Sequence, residues 1–351
     1  MTAIPLRRKL VYSAITIVSV LLLFGSVLLA VDVYLHHRVQ YLAGVNVWGY
    51  RGDVVRARKP GEVRVVAIGG STVFGYGLPW NESWPYYLER KIAAAQGGLP
   101  PVTVVNLGIP TDSARTFVAT LNDYAYLQPD IAIFYEGYND LGLDVNPPRN
   151  RTNPAVSHYL AWRHQSPIFR WTGYFPIFPL VLNEKAQMLL HGKDLQAAYG
   201  NDVVFRPGLA TRATAGALKT AADLGVALER RFGRLTNTAV AASTATNEDC
   251  GRWSEYCGAI EAAVRQVLAR NGRAVVVSQP YVSDLHVDQQ QALAAMLHRR
   301  FGGDRRVRYV NLGRLINMDD KALVYDGLHL VAKGNEMIAN ALVPTVVELV
   351  R

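Results

Sequence analysis

The chain has 351 residues, of which half are hydrophobic and 19% are charged. That balance is typical of a globular protein with a substantial core, in one large domain or two ordinary ones. The formal net charge of +9 would suit a nucleic-acid partner, but the lysines and arginines are scattered rather than arranged in a stripe. We therefore expect no nucleic-acid partner. The basic surface is solvated or weakly attracted to anionic lipid or an acidic glycan.

Residues 10–31 predict a transmembrane anchor. They form an apolar run of 22 residues without a charge, enough to cross the roughly 30 Å hydrocarbon core of a bilayer as a helix. Basic residues end the preceding segment, 1–9, so the positive-inside bias predicts a cytoplasmic N-terminus and an extracytoplasmic domain, periplasmic or extracellular. A cleaved signal peptide is the alternative. However, its apolar core is usually about 7–15 residues long, and Leu28 stands where a small residue should precede Ala30.

Residues 32–61 form a polar connector, after which strand and helix patterns alternate. Five short runs are dense in β-branched residues, as in strands buried on both faces of a parallel sheet. They are Val63–Ile68, Val102–Leu107, Ile131–Tyr135, Ala274–Ser278 and Val307–Asn311. The helical patterns are Trp84–Ala95, Ser113–Leu127, Ile260–Asn271, Gln289–Phe301 and Val331–Leu349. This alternation predicts one doubly wound α/β domain over residues 62–351.

A long insertion, about 145–245, interrupts the alternation between the third and fourth strands. Connections in such folds usually have only about two to six residues, so we expect a lid or subdomain here. Residues 166–182 are rich in proline and aromatic residues, whereas residues 210–242 are rich in alanine and helical in pattern. The aromatic part would cover a substrate groove or touch the membrane surface. Packing against the sheet's own helices is the alternative.

The two cysteines, Cys250 and Cys257, fit an oxidising compartment, which permits a disulfide between them. Closing so short a loop would stabilise the fold by roughly 2.5 kcal/mol in the chain-entropy model. On one continuous helix the pair would lie about 10 Å apart along the axis, beyond the roughly 7 Å limit for Cα atoms. The disulfide therefore requires a helix that begins after Cys250. Two free buried thiols are the alternative.

A candidate catalytic pair occurs near the end of the chain, where Asp326 and His329 lie on a predicted loop. A carboxylate can orient an imidazole and stabilise its protonated form while the ring takes a proton from a serine. Two glycines connect the first predicted strand to Ser71 and allow a tight turn there. Parallel α/β sheets bind ligands at the carboxyl ends of their strands. Ser71 is therefore the candidate nucleophile.

Two further strand ends supply candidate hydrogen-bond donors. Gly108 follows the second strand, and its N–H can approach a ligand closely because glycine has no side chain. Asn139 follows the third strand and carries an amide that can donate to a developing oxyanion; capping of the next turn is its ordinary alternative. One rim of the sheet thus collects a nucleophile, two donors and an Asp/His pair, the groups that acyl transfer needs.

With these residues in place, the chain resembles the SGNH (GDSL-type) hydrolase superfamily over roughly residues 45–350. The four sequence blocks of that superfamily match at Ser71, Gly108, Asn139 and His329. The segments 46–52 and Tyr135-Glu136 are similar to membrane-anchored members. There is one departure: the first block usually reads Gly-Asp-Ser, and here Gly70 stands in place of that supporting Asp. The chain also lacks Gly-x-Ser-x-Gly, which disfavours the α/β-hydrolase family.

The resemblance implies a flavodoxin-like, doubly wound sheet of five parallel strands in which Ser71 attacks an ester carbonyl. His329 would act as general base, oriented by Asp326. The oxyanion hole would consist of the Ser71 N–H, the Gly108 N–H and the Asn139 side chain.

We therefore predict a membrane-anchored serine esterase that hydrolyses a carboxylic ester through an acyl-serine intermediate. O-acetyl groups on a cell-envelope glycan or lipid are the candidate substrates. An O-acetyltransferase that modifies a surface polysaccharide is one alternative, and a non-catalytic glycan-binding or assembly protein on the same fold is another. The sequence contains no metal-binding motif and no phosphate-cradling loop, so we expect no metal and no cofactor.

Overall fold

A computed structural model describes most of the chain: residues 5–42, 44–95, 98–141, 166–191, 208–236, 243 and 245–351. Its strands are β1 Val63–Gly69, β2 Val102–Asn106, β3 Ile131–Tyr135, β4 Arg273–Ser278 and β5 Val307–Asn311. All neighbouring strands are parallel, in the order β2-β1-β3-β4-β5. This is the strand order of flavodoxin-like folds, so the predicted five-stranded parallel sheet is confirmed.

Ten α-helices accompany the sheet in the described ranges. They are α1 Leu6–Val39, α2 Ser71–Phe74, α3 Trp84–Ala94, α4 Phe117–Asp123, α5 Pro167–Thr172, α6 Phe178–His191, α7 Leu209–Leu235, α8 Ser254–Ala269, α9 Asp284–Phe301 and α10 Ala332–Val350. Short 3-10 turns lie at Trp80–Glu82, Ala114–Thr116, Ala125–Leu127, Tyr138–Asp140 and Glu248–Trp253. The alternation predicted from sequence is therefore present from β1 to α10.

The sheet is buried on both faces because successive strand residues point to opposite sides. On one face Val66, Ile68 and Phe134 pack with α4, α8 and α9 in one hydrophobic cluster. On the other face Ala67 and Ile133 pack with α3 and α10 in a second cluster. This arrangement explains why the strands read as continuous apolar runs rather than as alternating ones. It also leaves the carboxyl rim of the sheet as the place for polar chemistry.

Helix α1 is a single helix of 34 residues that runs beyond the predicted anchor. It is long and apolar enough to cross a membrane, and its apolar window is exposed. The last two turns are different, because Asp32 and His36 are buried against the domain. Asp32 accepts hydrogen bonds from the Tyr174 hydroxyl and from the N–H groups of Ile177 and Phe178. The apolar segment and the domain are thus joined by continuous helix.

The segment predicted as a polar connector, 32–61, is built into the domain over much of its length. Its first eight residues belong to α1, and Val45 and Tyr50 are buried in the hydrophobic core. Arg51 donates hydrogen bonds to the carbonyl oxygens of Leu42, Gly44 and Leu78. These bonds tie the exit of α1 to the segment that follows α2.

The described part of the insertion consists of α5, α6 and α7. Helices α6 and α7 pack along each other, α5 packs on α7, and α6 contacts α1. The helical pattern predicted over 210–242 matches α7 as far as Leu235. The remainder of the predicted lid or subdomain, at 145–165, 192–207, 237–242 and 244, lies outside the described residues.

Cys250 and Cys257 are disulfide-bonded in the structure, with their Cα atoms 6.4 Å apart. The predicted condition on the helix is met, because α8 begins only at Ser254. Before it, Gly251 leaves helical geometry, with a positive φ of 54°. The kink at this glycine separates Cys250 from the axis of α8 and brings the two sulfurs together.

Candidate active site

Ser71 lies at the carboxyl rim of the sheet as the first residue of α2, directly after β1. The turn between them contains Gly70, where a Cβ atom would lie 2.4 Å from Asn139 Nδ2 and 2.6 Å from Glu136 Oε2. No side chain fits there without displacing these groups. The tight turn brings the serine and the loop after β3 into close contact.

His329 joins Ser71 to Asp326 in a continuous hydrogen-bonded row. Its Nε2 lies 2.7 Å from Ser71 Oγ, and its Nδ1 lies 2.6 Å from Asp326 Oδ2. The second carboxylate oxygen, Asp326 Oδ1, accepts the backbone N–H groups of Leu328 and His329 at 3.0 and 2.7 Å. Asp326 thus holds both the ring and the backbone of the histidine. The structure brings these three sequence-predicted residues together across 258 positions of sequence.

The Asp326 carboxylate is stabilised in its ionised form. Burial alone would raise its pKa, but the hydrogen bonds from the His329 side chain, the His329 backbone and Leu328 outweigh that effect and lower the pKa below its usual value. The carboxylate therefore stays charged through the neutral range. A charged carboxylate at this place favours the protonated imidazole that forms when the ring accepts a proton.

The structure also places Asn139 beside the serine. Its Nδ2 donates to the Asp112 carbonyl oxygen at 2.7 Å. Nδ2 also makes a long hydrogen bond, 3.5 Å, to Glu136 Oε2. A side-chain amide nitrogen carries two hydrogens, so one is held by a short bond and the other by a long one.

Gly108 lies against α2, where a Cβ atom would come within 2.5 Å of the Phe74 backbone nitrogen. Its N–H donates to Asn106 Oδ1 at 3.0 Å. Ser71, Gly108, Asn139 and His329 thus all lie at one rim of the sheet. The Gly108 N–H, however, already donates to the Asn106 side chain.

Glu136, directly after β3, is a buried residue of this rim whose role was not predicted from sequence. Only 2% of it is exposed. Burial raises the pKa of Glu136 to about 8, and the charges of Asp140 and Asp112 add to this effect, while N–H bonds from Gly137 and Asn139 oppose it. An acidic residue immediately after a fully buried strand was the available signal in the sequence.

The histidine faces a partly apolar, open rim that the sequence also did not reveal. The ring of Tyr325 stacks on His329 at 5.8 Å, and Tyr76 lies at 5.0 Å on a tilted plane. Tyr76, Tyr325 and Leu328 are all exposed. The Tyr325 hydroxyl donates to the Tyr76 carbonyl oxygen at 2.9 Å, which fixes the two aromatic residues relative to each other. These exposed rings therefore lie directly beside the imidazole that contacts Ser71.

In the described part of the chain, no group of three or more His, Cys, Asp or Glu side chains is arranged to hold a metal ion.

Solved structures similar to this one include several bacterial esterases. A lipase/acylhydrolase from Enterococcus faecalis shares 14% sequence identity, with a TM-score of 0.41 over 81% of this chain and 95% of its own. A family 3 carbohydrate esterase from Clostridium thermocellum shares 13%, with a TM-score of 0.40 over 83% of this chain and 98% of its own. A catalytic mutant of an acetylxylan esterase from Geobacillus stearothermophilus shares 12%, with a TM-score of 0.41 over 81% and 94%.

A search of curated proteins gave no match to this chain. A model of the GDSL-like lipase/acylhydrolase family, in contrast, matches residues 67–337. That range is more than half of the chain, and it contains the end of β1, all of β2 to β5, Ser71 and the Asp326–His329 pair. The chain therefore belongs to the GDSL-like lipase/acylhydrolase family, as a serine hydrolase that acts on ester bonds.

Proposed function

We propose that Ser71, His329 and Asp326 are the catalytic triad of this hydrolase. The observation that supports the proposal is the row of two short hydrogen bonds, 2.7 Å from Ser71 Oγ to His329 Nε2 and 2.6 Å from His329 Nδ1 to Asp326 Oδ2. With Nδ1–H bonded to the carboxylate, Nε2 is the nitrogen left to accept a proton. The serine hydroxyl is within proton-transfer distance of it.

In the first half of the reaction, Ser71 Oγ attacks the ester carbonyl carbon while its proton passes to His329 Nε2. The tetrahedral intermediate then collapses, the C–O bond to the alcohol breaks, and the imidazolium returns the proton to the leaving alcohol. The product is an acyl-Ser71 ester. In the second half, His329 takes a proton from water, the hydroxide attacks the acyl carbon, and the carboxylic acid leaves as Ser71 recovers its proton.

The oxyanion of each tetrahedral intermediate needs donors. We propose as the principal ones the Ser71 N–H and the Asn139 Nδ2 hydrogen whose bond to Glu136 Oε2 is long, at 3.5 Å. The Gly108 N–H is the third, and it contributes by sharing its hydrogen with the oxyanion, because it also donates to Asn106 Oδ1 at 3.0 Å. Glycine is needed at 108 in either case, because α2 leaves no room for a side chain.

For the substrate, we propose an O-acyl group, such as O-acetyl, on a cell-envelope glycan or lipid. The exposed rings of Tyr76 and Tyr325 beside His329 support a sugar-bearing alcohol, since apolar ring faces are suited to packing against aromatic side chains.

The assignment is tested with the purified full chain in detergent, on p-nitrophenyl acetate and on O-acetylated envelope polysaccharide. Ser71→Ala and His329→Ala should each lower kcat by several orders of magnitude. A fluorophosphonate probe should label Ser71 in the wild type and leave Ser71→Ala unlabelled. Equal hydrolysis by wild type and Ser71→Ala would refute the triad. Acetate transferred to an added glycan instead of to water would show a transferase.

We also propose that α1 anchors the protein in a membrane, with residues 1–9 in the cytoplasm and the catalytic domain outside. Three features support this: the exposed apolar window of α1, the basic residues ahead of it, and the oxidised Cys250–Cys257 pair. The burial of Asp32 and His36 in the domain supports retention of α1 as a part of the folded protein.

A further inference from the structure

The buried Glu136 carboxylate connects the turn before the nucleophile with the loop that carries Asn139. Its Oε2 accepts the Gly70 N–H at 2.6 Å, and its Oε1 accepts the N–H groups of Gly137 and Asn139 at 2.9 and 3.1 Å. The Asn139 side-chain nitrogen lies 3.5 Å from Oε2. One carboxylate therefore contacts both the backbone and the side chain of Asn139. It also contacts the residue immediately before Ser71.

This carboxylate fills the space that a side chain at position 70 would occupy. A Cβ atom built on Gly70 lies 2.6 Å from Glu136 Oε2, closer than nonbonded atoms can approach. A carboxylate carried by position 70 would extend into that same space. Residues 70 and 136 are therefore a matched pair, in which a glycine at one position makes room for the long acidic side chain of the other.

The backbone of Glu136 is fixed from the opposite side of the loop. Tyr256 on α8 donates its hydroxyl hydrogen to the Glu136 carbonyl oxygen at 2.7 Å. Gln289 on α9 donates to the Gly137 carbonyl oxygen at 3.2 Å, and Gln290 donates to the Tyr256 hydroxyl at 3.1 Å. With its backbone held by two helices, Glu136 has a rigid base from which to hold Asn139.

Both Glu136 oxygens face N–H donors. The ionised form is the one in which both oxygens only accept, and because burial raises the pKa of Glu136 to about 8, this form predominates above that pH. Hydrogen bonds to a charged acceptor are the stronger kind, and they are suited to fixing a side chain whose own hydrogen bond must be aimed at a transition state.

We propose that Glu136 is a positioning residue of the esterase: its carboxylate bridges the Gly70 turn and Asn139, and it affects turnover through the placement of the Asn139 amide beside Ser71. This inference rests on the proposed function, because it assigns Asn139 to the oxyanion hole. It also accounts for Gly70, which stands where the first block usually has an aspartate, because Glu136 after β3 supplies an acidic group instead.

A double-mutant cycle tests whether Glu136 acts through Asn139. Asn139→Ala should lower kcat for p-nitrophenyl acetate by about 10²–10³-fold, as removal of an oxyanion donor does, and Glu136→Ala should lower it by about 10–10²-fold with KM nearly unchanged. The double variant should be no slower than Asn139→Ala within about threefold, because the positioned amide is already gone. Multiplicative losses would overturn the proposal.

Glu89 provides the matched control. It is a glutamate on α3 whose carboxylate also accepts a backbone N–H of the sheet, from Val104 at 2.6 Å, and burial also raises its pKa. Glu89→Ala should leave kcat within about twofold of the wild type, because this carboxylate contacts α3 and β2 and not the Ser71 turn, so its loss acts mainly on stability. A loss as large as that of Glu136→Ala would show a general effect on the sheet and overturn the specific role.

The rate of fluorophosphonate labelling separates this inference from the proposed function. If the wild type labels no faster than Ser71→Ala, the triad assignment fails. If the wild type labels rapidly and Glu136→Ala labels at the same rate, the triad stands and the role of Glu136 fails. The expected result is rapid labelling of the wild type and labelling slowed about 10–10²-fold in Glu136→Ala, in parallel with kcat.

Discussion

At the scale of single residues, Asp326 has two roles that one carboxylate can combine. One oxygen holds the imidazole, and the other holds the backbone N–H groups of Leu328 and His329. An Asx-type loop of this kind fixes the main chain that carries the ring. The orientation of the ring therefore does not depend on the side-chain bond alone.

Asp326→Asn separates these roles. The amide oxygen can still accept the backbone N–H groups, but the negative charge beside the ring is lost, so kcat should fall by about 10²–10⁴-fold with the fold preserved. Because hydrogen bonds lower the pKa of Asp326, its ionised form persists as the pH falls and is lost only below the usual range of an aspartate. The loss in the variant should therefore be present at pH 6 as well as at pH 8.

Asp320 is the control for this substitution, because its Oδ1 accepts the Ala322 N–H at 2.8 Å in a similar loop away from the serine. Asp320→Asn should retain wild-type kcat in the same assay. A loss confined to alkaline pH in Asp326→Asn would contradict the charge-based explanation.

The placement of Ser71, Gly108 and Asn139 at one rim could be predicted from sequence because each closely follows a strand whose apolar run is easy to recognise. His329 lies farther beyond its strand and was matched by the family resemblance. The contacts of Glu136 could not be predicted in the same way. They depend on the absence of a side chain at Gly70 and on helices α8 and α9 from distant parts of the chain. The stacking of Tyr76 and Tyr325 on His329 depends likewise on two loops that only the folded sheet brings together.

At the scale of elements, α9 carries a buried histidine behind the Asn139 loop. His286 is fully buried between the rings of Tyr138 and Tyr281, at 4.9 and 5.7 Å. Burial lowers the pKa of His286 to about 4, so the folded protein holds it neutral at pH 7. In the unfolded chain it binds a proton near pH 6.5. The unfolded state thus takes up more protons between these values.

This difference predicts that His286 contributes acid sensitivity. Its contribution to the free energy of unfolding should be constant above about pH 6.5 and decrease as the pH falls toward 4, by up to about 3 kcal/mol, whereas the raised pKa of Glu136 acts in the opposite direction. His286→Phe should remove most of that pH dependence, measured as the urea midpoint at pH 7.5 and 5.0. His298→Gln, an exposed position on the same helix, should behave like the wild type. An unchanged slope in His286→Phe would contradict the explanation.

Element boundaries could be predicted where apolar periodicity ended cleanly, as for α3 and α10. The pattern over Ser113–Leu127 predicted one helix, but the structure divides it into 3-10 turns on both sides of α4. The Thr116 hydroxyl donates to the Asp112 side chain and to the Ser113 carbonyl oxygen. Such side-chain bonds compete with helical ones and are not visible in hydrophobic periodicity.

At the scale of the whole molecule, helix α1 and the domain form one connected structure. Besides the bonds of Asp32, His36 lies with Nδ1 2.9 Å from the Val45 carbonyl oxygen and Nε2 2.7 Å from that of Phe175. The length of the apolar run was predictable from sequence, whereas its continuation into the domain was not, because residues 32–39 read as polar.

The predicted topology can be tested with the full chain in a bacterial host. A C-terminal alkaline phosphatase fusion should be active and a C-terminal fluorescent protein fusion dark, since the positive-inside bias places the domain outside. The purified protein should retain peptides of α1 by mass spectrometry and stay in the membrane after carbonate extraction. A chain that begins near residue 31 would show a cleaved signal peptide instead. Reversing the basic residues at 7–9 to acidic ones should impair export of the reporter.

If α1 anchors the protein as proposed, the continuous helix at the domain entrance would also set how far the enzyme can reach. From Val31 to Val39 the chain rises only about 12 Å, at about 1.5 Å per residue, and two buried side chains stiffen that stretch. In a bilayer, such a short and rigid connection would keep Ser71 at a nearly constant distance from the membrane surface. The active site would then reach substrates only within a thin layer parallel to that surface. Encounters would then be governed by lateral diffusion, and esters carried on molecules beyond that layer would escape hydrolysis.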